Sequence, residues 1–95
     1  MSVKSVPSTK FQLGNIIITP KVLLSIPQSD INSGINRHRS GDWGDIDNLD
    51  YKENELSLEK NLRLWSVYYT ALGTRFWIIT EADRSRTMVL LPEDY

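Results

Sequence analysis

The most regular alternation of apolar and polar positions lies in the last third of the chain. Leu62 to Thr70, Arg75 to Thr80 and Arg86 to Leu91 are rich in aromatic and β-branched residues, the composition of strands. Ala71-Leu72-Gly73-Thr74 supplies a hairpin loop and Glu81 to Ser85 a second tight connection. The pattern therefore predicts a three-stranded antiparallel meander. Alternation sorts its side chains: Trp65, Val67 and Tyr69 face one way, and Leu64, Ser66 and Tyr68 the other. In the middle strand Phe76 and Ile78 oppose Trp77 and Ile79. Both faces are apolar, so each needs a cover. Helices can supply one, and the N-terminal segment or a second protein chain the other.

Upstream the pattern is shorter in range. Met1 to Lys10 is polar and reads as a mobile tail. Phe11 to Thr19 predicts a strand around Ile16, Ile17 and Ile18. Thr19-Pro20 starts a short helix that Pro27 stops. Ser29 to His38 predicts a second helix with Ser29 as its cap, and Ile31, Ile35 and His38 on one face. Gly34 weakens that helix. Asp47 or Asp50 starts a third helix running to about Asn61, with Asp50 and Glu53 as a capping box and Leu49, Leu56 and Leu58 as its apolar stripe. The expected architecture is α+β: one domain over 11–95, with short helices packed on a small antiparallel sheet.

Composition narrows the function classes. The chain has 95 residues, enough for one modest core, with 40% hydrophobic and 24% charged residues, the balance of a globular protein. The net charge of −1 leaves no basic excess, which argues against direct nucleic-acid binding. With no cysteine and one histidine, thiolate and multi-histidine metal sites cannot form within the chain. No apolar run approaches a membrane span and the first residues have no hydrophobic signal core, so the expected compartment is the cytoplasm of the producing or host cell.

Two polar clusters stand out. The first runs from His38 to Asp50 and holds Asp42, Asp45, Asp47 and Asp50 around Trp43. A calcium loop fails on spacing: counted from Asp45, Asp50 falls where glycine is needed and Leu56 where the bidentate glutamate belongs. No metal or other cofactor is expected. These aspartates otherwise cap a helix and turn a loop. The large aromatics Trp43, Trp65, Tyr68, Tyr69, Phe76 and Trp77 are expected chiefly in the core, and of them Trp43, in a glycine-flanked loop, is the best candidate for an exposed or functional ring. The second cluster is Thr80-Glu81-Ala82-Asp83-Arg84-Ser85 with Arg86 and Thr87. A metal-independent ribonuclease needs a carboxylate base, an imidazole acid and a guanidinium for the phosphate. Glu81, His38 and Arg84 are of those types, provided that the two clusters share one polar pocket. A lone histidine at a helix end is more often a cap or a buried structural group than a catalytic one.

At these clusters the chain resembles a family of small, uncharacterised bacterial proteins found on plasmids, prophages and other mobile elements. The resemblance is carried by Arg37-His38-Arg39-Ser40-Gly41-Asp42-Trp43-Gly44-Asp45, by Asn54-Glu55-x-x-Leu58, and by Trp77-Ile78-Ile79-Thr80-Glu81-Ala82-Asp83-Arg84-Ser85-x-Thr87-x-x-Leu90-Leu91-Pro92-x-x-Tyr95. It covers about Phe11 to Tyr95 and departs most at the N-terminal extension and between Ile26 and Asn36. It implies no activity, only a setting of conflict with a host. Three expectations follow. The first is a protein-binding inhibitor of a host defence system, as anti-CRISPR and anti-restriction proteins are, using Asp42, Trp43, Asp45, Asp47, Asp83 and Thr87, with the acidic stretch Asp42 to Glu59 covering a basic channel. The second is a ribonuclease or toxin-like enzyme using Glu81, His38 and Arg84. The third is a regulatory module that pairs with itself through the spare sheet face.

Overall fold

A computed structural model describes residues 9–95. The elements in order are β1 (Asn15–Ile18), α1 (Pro20–Ser25), α2 (Gln28–Arg39), α3 (Asn48–Lys60), β2 (Leu64–Tyr69), β3 (Arg75–Thr80), β4 (Arg86–Leu90) and a 3-10 turn at Pro92–Asp94. The fold is α+β. The meander forms as expected, with β2 antiparallel to β3 and β3 antiparallel to β4. β1 then adds to β4 in parallel, so the sheet is mixed rather than wholly antiparallel, in the order β1-β4-β3-β2. The path back through three helices is what permits a parallel neighbour.

α1 starts where Thr19 and Pro20 place it: the Thr19 side chain accepts from the Val22 amide. α2 begins earlier than expected, with Pro27 at the cap position and Ser29 already inside the helix. Its inward face is the expected one, with Ile31, Ile35 and His38 all buried. Gly34 lies on that face too, and a Cβ there would meet Phe76 Cε2 at 3.0 Å and Ile78 Cδ1 at 3.2 Å. The glycine that costs helix propensity thus sets how closely α2 approaches the sheet.

Between them lies the main core: Val22, Ile26, Ile31, Ile35, Tyr68, Phe76, Ile78, Val89 and Leu91. Each large apolar side chain fully buried there contributes about 1.5–3 kcal/mol against exposure. A second, smaller core gathers Phe11, Trp43 and Leu64. The expected strand from Phe11 is therefore shorter at its start, because Phe11 turns inward to this second core and only Asn15 to Ile18 pair.

Two expectations about exposure are corrected. Trp43 is only 2% exposed: its indole stacks on Phe11, and its Nε1–H donates to Glu55 Oε2 at 2.9 Å. In α3 the anticipated apolar stripe turns inward only at Leu58, which packs against the second core. Asn54 and Ser57 are buried while Leu49 and Leu56 stand exposed and Leu58 is half-buried. The cap of α3 is Asp47, whose Oδ1 accepts from the Asp50 amide at 2.8 Å. Nearly all of the expected tail 1–10 lies outside the described residues. Lys10, its last residue, donates its amide to Arg39 O at 2.8 Å. Among the described residues no helix is long and apolar enough to cross a membrane.

Candidate functional site

The polar residues of the two clusters are turned into the fold. His38 is fully buried at the end of α2. Its Nδ1 lies 2.5 Å from Ser66 Oγ and its Nε2 2.9 Å from Thr80 Oγ1. Thr80 Oγ1 is 2.7 Å from Thr87 Oγ1, and Thr87 donates to the Leu13 carbonyl at 2.7 Å. Counting protons orders the whole chain. Because the Thr87 proton goes to Leu13, Thr80 must donate to Thr87. Thr80 then accepts from His38 Nε2–H, and Ser66 donates to Nδ1. Burial, followed by the charge of Arg84, lowers the His38 pKa to about 3, so the ring is neutral. The imidazole is thus a spacer that joins α2, β2, β3, β4 and the segment before β1.

Arg84 is equally committed. Its guanidinium donates to the carbonyls of Leu62, Glu81, Ala82 and Ser57 at 2.6–3.1 Å, closing the C-terminal end of α3 onto the β3–β4 turn. It lies 5.7 Å from the centre of the Phe11 ring, which in turn packs edge-on to His38 at 5.2 Å. The two clusters do come together, but through an aromatic ring and not through a shared polar pocket. The shallow hollow at the turn is lined only by Glu81, Ala82, Asp83, Ser85 and Arg86. Glu81 sits there half-buried, its carboxylate 4.0 Å from Arg86 Nε. An imidazole with both nitrogens engaged inside the core has no proton to exchange with a substrate. The Arg84 guanidinium is held by four carbonyls through Nη1 and Nη2.

The remaining cluster residues serve locally. Asp42 pairs with Arg37 through both oxygens, at 2.7 and 3.2 Å, and this pairing holds its carboxyl below the ordinary range. Asp83 Oδ1 accepts from the Ser85 amide at 2.9 Å, which shapes the turn. Asp45 is exposed, while its amide donates to Val67 O at 2.8 Å. Among the described residues no three histidine or acidic side chains converge as metal ligands would.

What remains open is a cleft on the second sheet face, which the two-cluster pattern does not mark. Its floor is Trp65, Trp77 and Ile79. One wall is α3, through Leu49, Asp50, Glu53, Asn54 and Ser57; the other is Arg63 and Tyr95. Its volume is about 350 Å³, within the range of ligand sites. Trp65 and Trp77 meet edge to face at 5.5 Å, and Trp77 and Tyr95 at 5.7 Å. The Arg63 guanidinium stands 5.3 Å from the centre of the Tyr95 ring. Burial, then the neighbouring Asp47 and Glu53, raises the Asp50 carboxyl above its ordinary value. The indole Nε1–H groups of both floor tryptophans are buried and have no partner. The alternation of Trp65 against Leu64 and Trp77 against Phe76 is the signal that identifies the floor. The expected cover for this face was the N-terminal segment or another chain. In the structure α3 and Tyr95 wall it and leave the cleft between them.

The sequence matches no protein-family model, and comparison with curated proteins and with solved structures finds no match.

Proposed function

We propose that this protein acts by binding another protein and not by catalysis. We take it to be an accessory protein of a phage or plasmid that blocks a host defence complex of the CRISPR or restriction type inside the host cell. The observation that carries the binding reading is the fate of the polar residues. His38 and Arg84, suited to chemistry, are spent on holding the fold, whereas the stretch from Asp42 through α3 displays an excess of carboxylates. Residues 42–59 carry seven carboxylates against Lys52 alone, and all but Asp50 are exposed. Such a surface complements a basic one, the type that lines nucleic-acid channels. The mobile-element setting rests on the resemblance of the motif residues.

Asp45 and Glu59 are the carboxylates to reverse, because Asp47 caps α3 and Asp42 is paired. The test captures host proteins on the wild-type chain and on the Asp45→Lys/Glu59→Lys double variant. A defence-complex subunit retained by wild type, released by raised salt and lost with the variant supports the reading. Equal retention by both chains refutes it. So does degradation of RNA by the purified protein that disappears with Glu81→Gln, since that outcome restores the enzyme.

A further inference from the structure

We propose that the cleft between α3 and the second sheet face receives a basic side chain, arginine or lysine, of the partner polypeptide. The proposal deepens the binding reading above and rests on it. Two features of the cleft point to the same occupant. The first is its aromatic lining: Trp65, Trp77 and Tyr95 meet at angles that present both faces and edges, the setting in which cations are attracted by ring quadrupoles. Arg63, already over Tyr95, shows that this wall takes a guanidinium.

The second feature is charge. Asp50 and Glu53 face one guanidinium, Arg63, so the rim is net negative and a phosphate or carboxylate ligand is repelled. Aromatic faces and a net negative rim together select a basic side chain, and the protein-binding reading supplies it from the partner polypeptide.

The test uses the full chain labelled with nitrogen-15. Its three tryptophans give three indole Nε1–H signals, and Trp43, buried and bonded to Glu55, is an internal control. Acetyl-Ala-Arg-Ala-amide and acetyl-Ala-Lys-Ala-amide are titrated to about 10 mM, a range suited to the weak affinity of a single anchor. The expected result is a saturable shift of the Trp65 and Trp77 signals by at least one of these peptides, with Trp43 unmoved. Asp50→Asn/Glu53→Gln then weakens binding roughly fivefold. No saturable shift overturns the proposal, and so does an equal response to acetyl-Ala-Glu-Ala-amide or acetyl-Ala-Leu-Ala-amide. Choline reproducing the full effect replaces it with a small-cation site. Shifts that grow with protein concentration alone replace it with a second copy of the chain. The Asp45→Lys/Glu59→Lys variant keeps the peptide response, so failure of the capture experiment and failure of the cleft are separately visible.

Discussion

His38 titrates near 6.5 in an unfolded chain and near 3 in its buried site, because the interior penalises the charged ring. Below pH 6.5 the unfolded chain therefore binds a proton that the folded chain refuses. Stability is fully present above 6.5 and is lost as pH falls from there toward 3, by up to about 1.4 kcal/mol per unit. Urea midpoints at pH 7.5, 6.5, 5.5 and 5 should fall in that order, and the His38→Gln variant should show a flatter series between 6.5 and 5. A ring nitrogen that titrates near 6.5 in the folded protein excludes this account. Gly44 carries a second constraint at this scale. Its φ is +78°, and a Cβ would overlap the Val67 carbonyl oxygen, which the Asp45 amide needs. Gly44→Ala is expected to lower unfolding stability by on the order of 3 kcal/mol, combining left-handed strain with a displaced loop. A urea midpoint within error of wild type refutes it.

At the scale of elements, the outer edge of β2 explains why two polar stretches have the residues they do. An edge strand offers unpaired amides and carbonyls to any neighbour. Here they are met from within the chain. Asn54, on α3, donates to Trp65 O at 2.7 Å and accepts from Trp65 N at 3.1 Å. The loop after α2 does the same for Val67, through Trp43 O at 3.0 Å and Asp45 N at 2.8 Å. Asn54→Ala removes both bonds at Trp65 and is expected to cost about 2 kcal/mol, whereas Leu49→Ala, at an exposed position, should stay within about 0.5 kcal/mol. Paired chemical denaturation of the two variants decides it; equal midpoints would remove the clamp from the account. This edge also marks what local pattern can and cannot tell. The meander was legible because period-two alternation and turn residues report on neighbours in sequence. So was α1, with its Thr-Pro start. The inward face of α3 was not, because Asn54 is buried for a bond to a strand eleven residues on. The burial of Trp43 was hidden for the same reason: its partners Phe11 and Glu55 lie far away in sequence. The polar clusters were readable as important, but whether they face solvent or each other depends on packing that spacing does not encode.

Taken as a whole molecule, the chain is nearly neutral, yet its charge is divided. Residues 42–59 hold seven acidic groups and one basic; the rest of the chain holds the remaining five acidic and ten basic, so the parts carry −6 and +5. The division bears on the cleft because Asp50 and Glu53 on the acidic side form its rim, while the two floor tryptophans are half-buried and Trp43 is sealed. A collisional quencher samples that local potential and not the net charge, which salt screens beyond about 10 Å. Caesium and iodide should therefore quench this protein unequally. Normalised to free tryptophan and measured at a constant ionic strength of about 0.1 M, caesium should be more effective by roughly twofold, the discrimination expected of a small excess of nearby carboxylates in a high-dielectric rim. Asp50→Asn/Glu53→Gln should bring the two ions level, and Asp45→Lys, away from the cleft, should change the ratio less. Were iodide the better quencher of the wild-type chain, Arg63 and not the two carboxylates would govern the mouth of the cleft. A basic side chain would then be the wrong occupant for it.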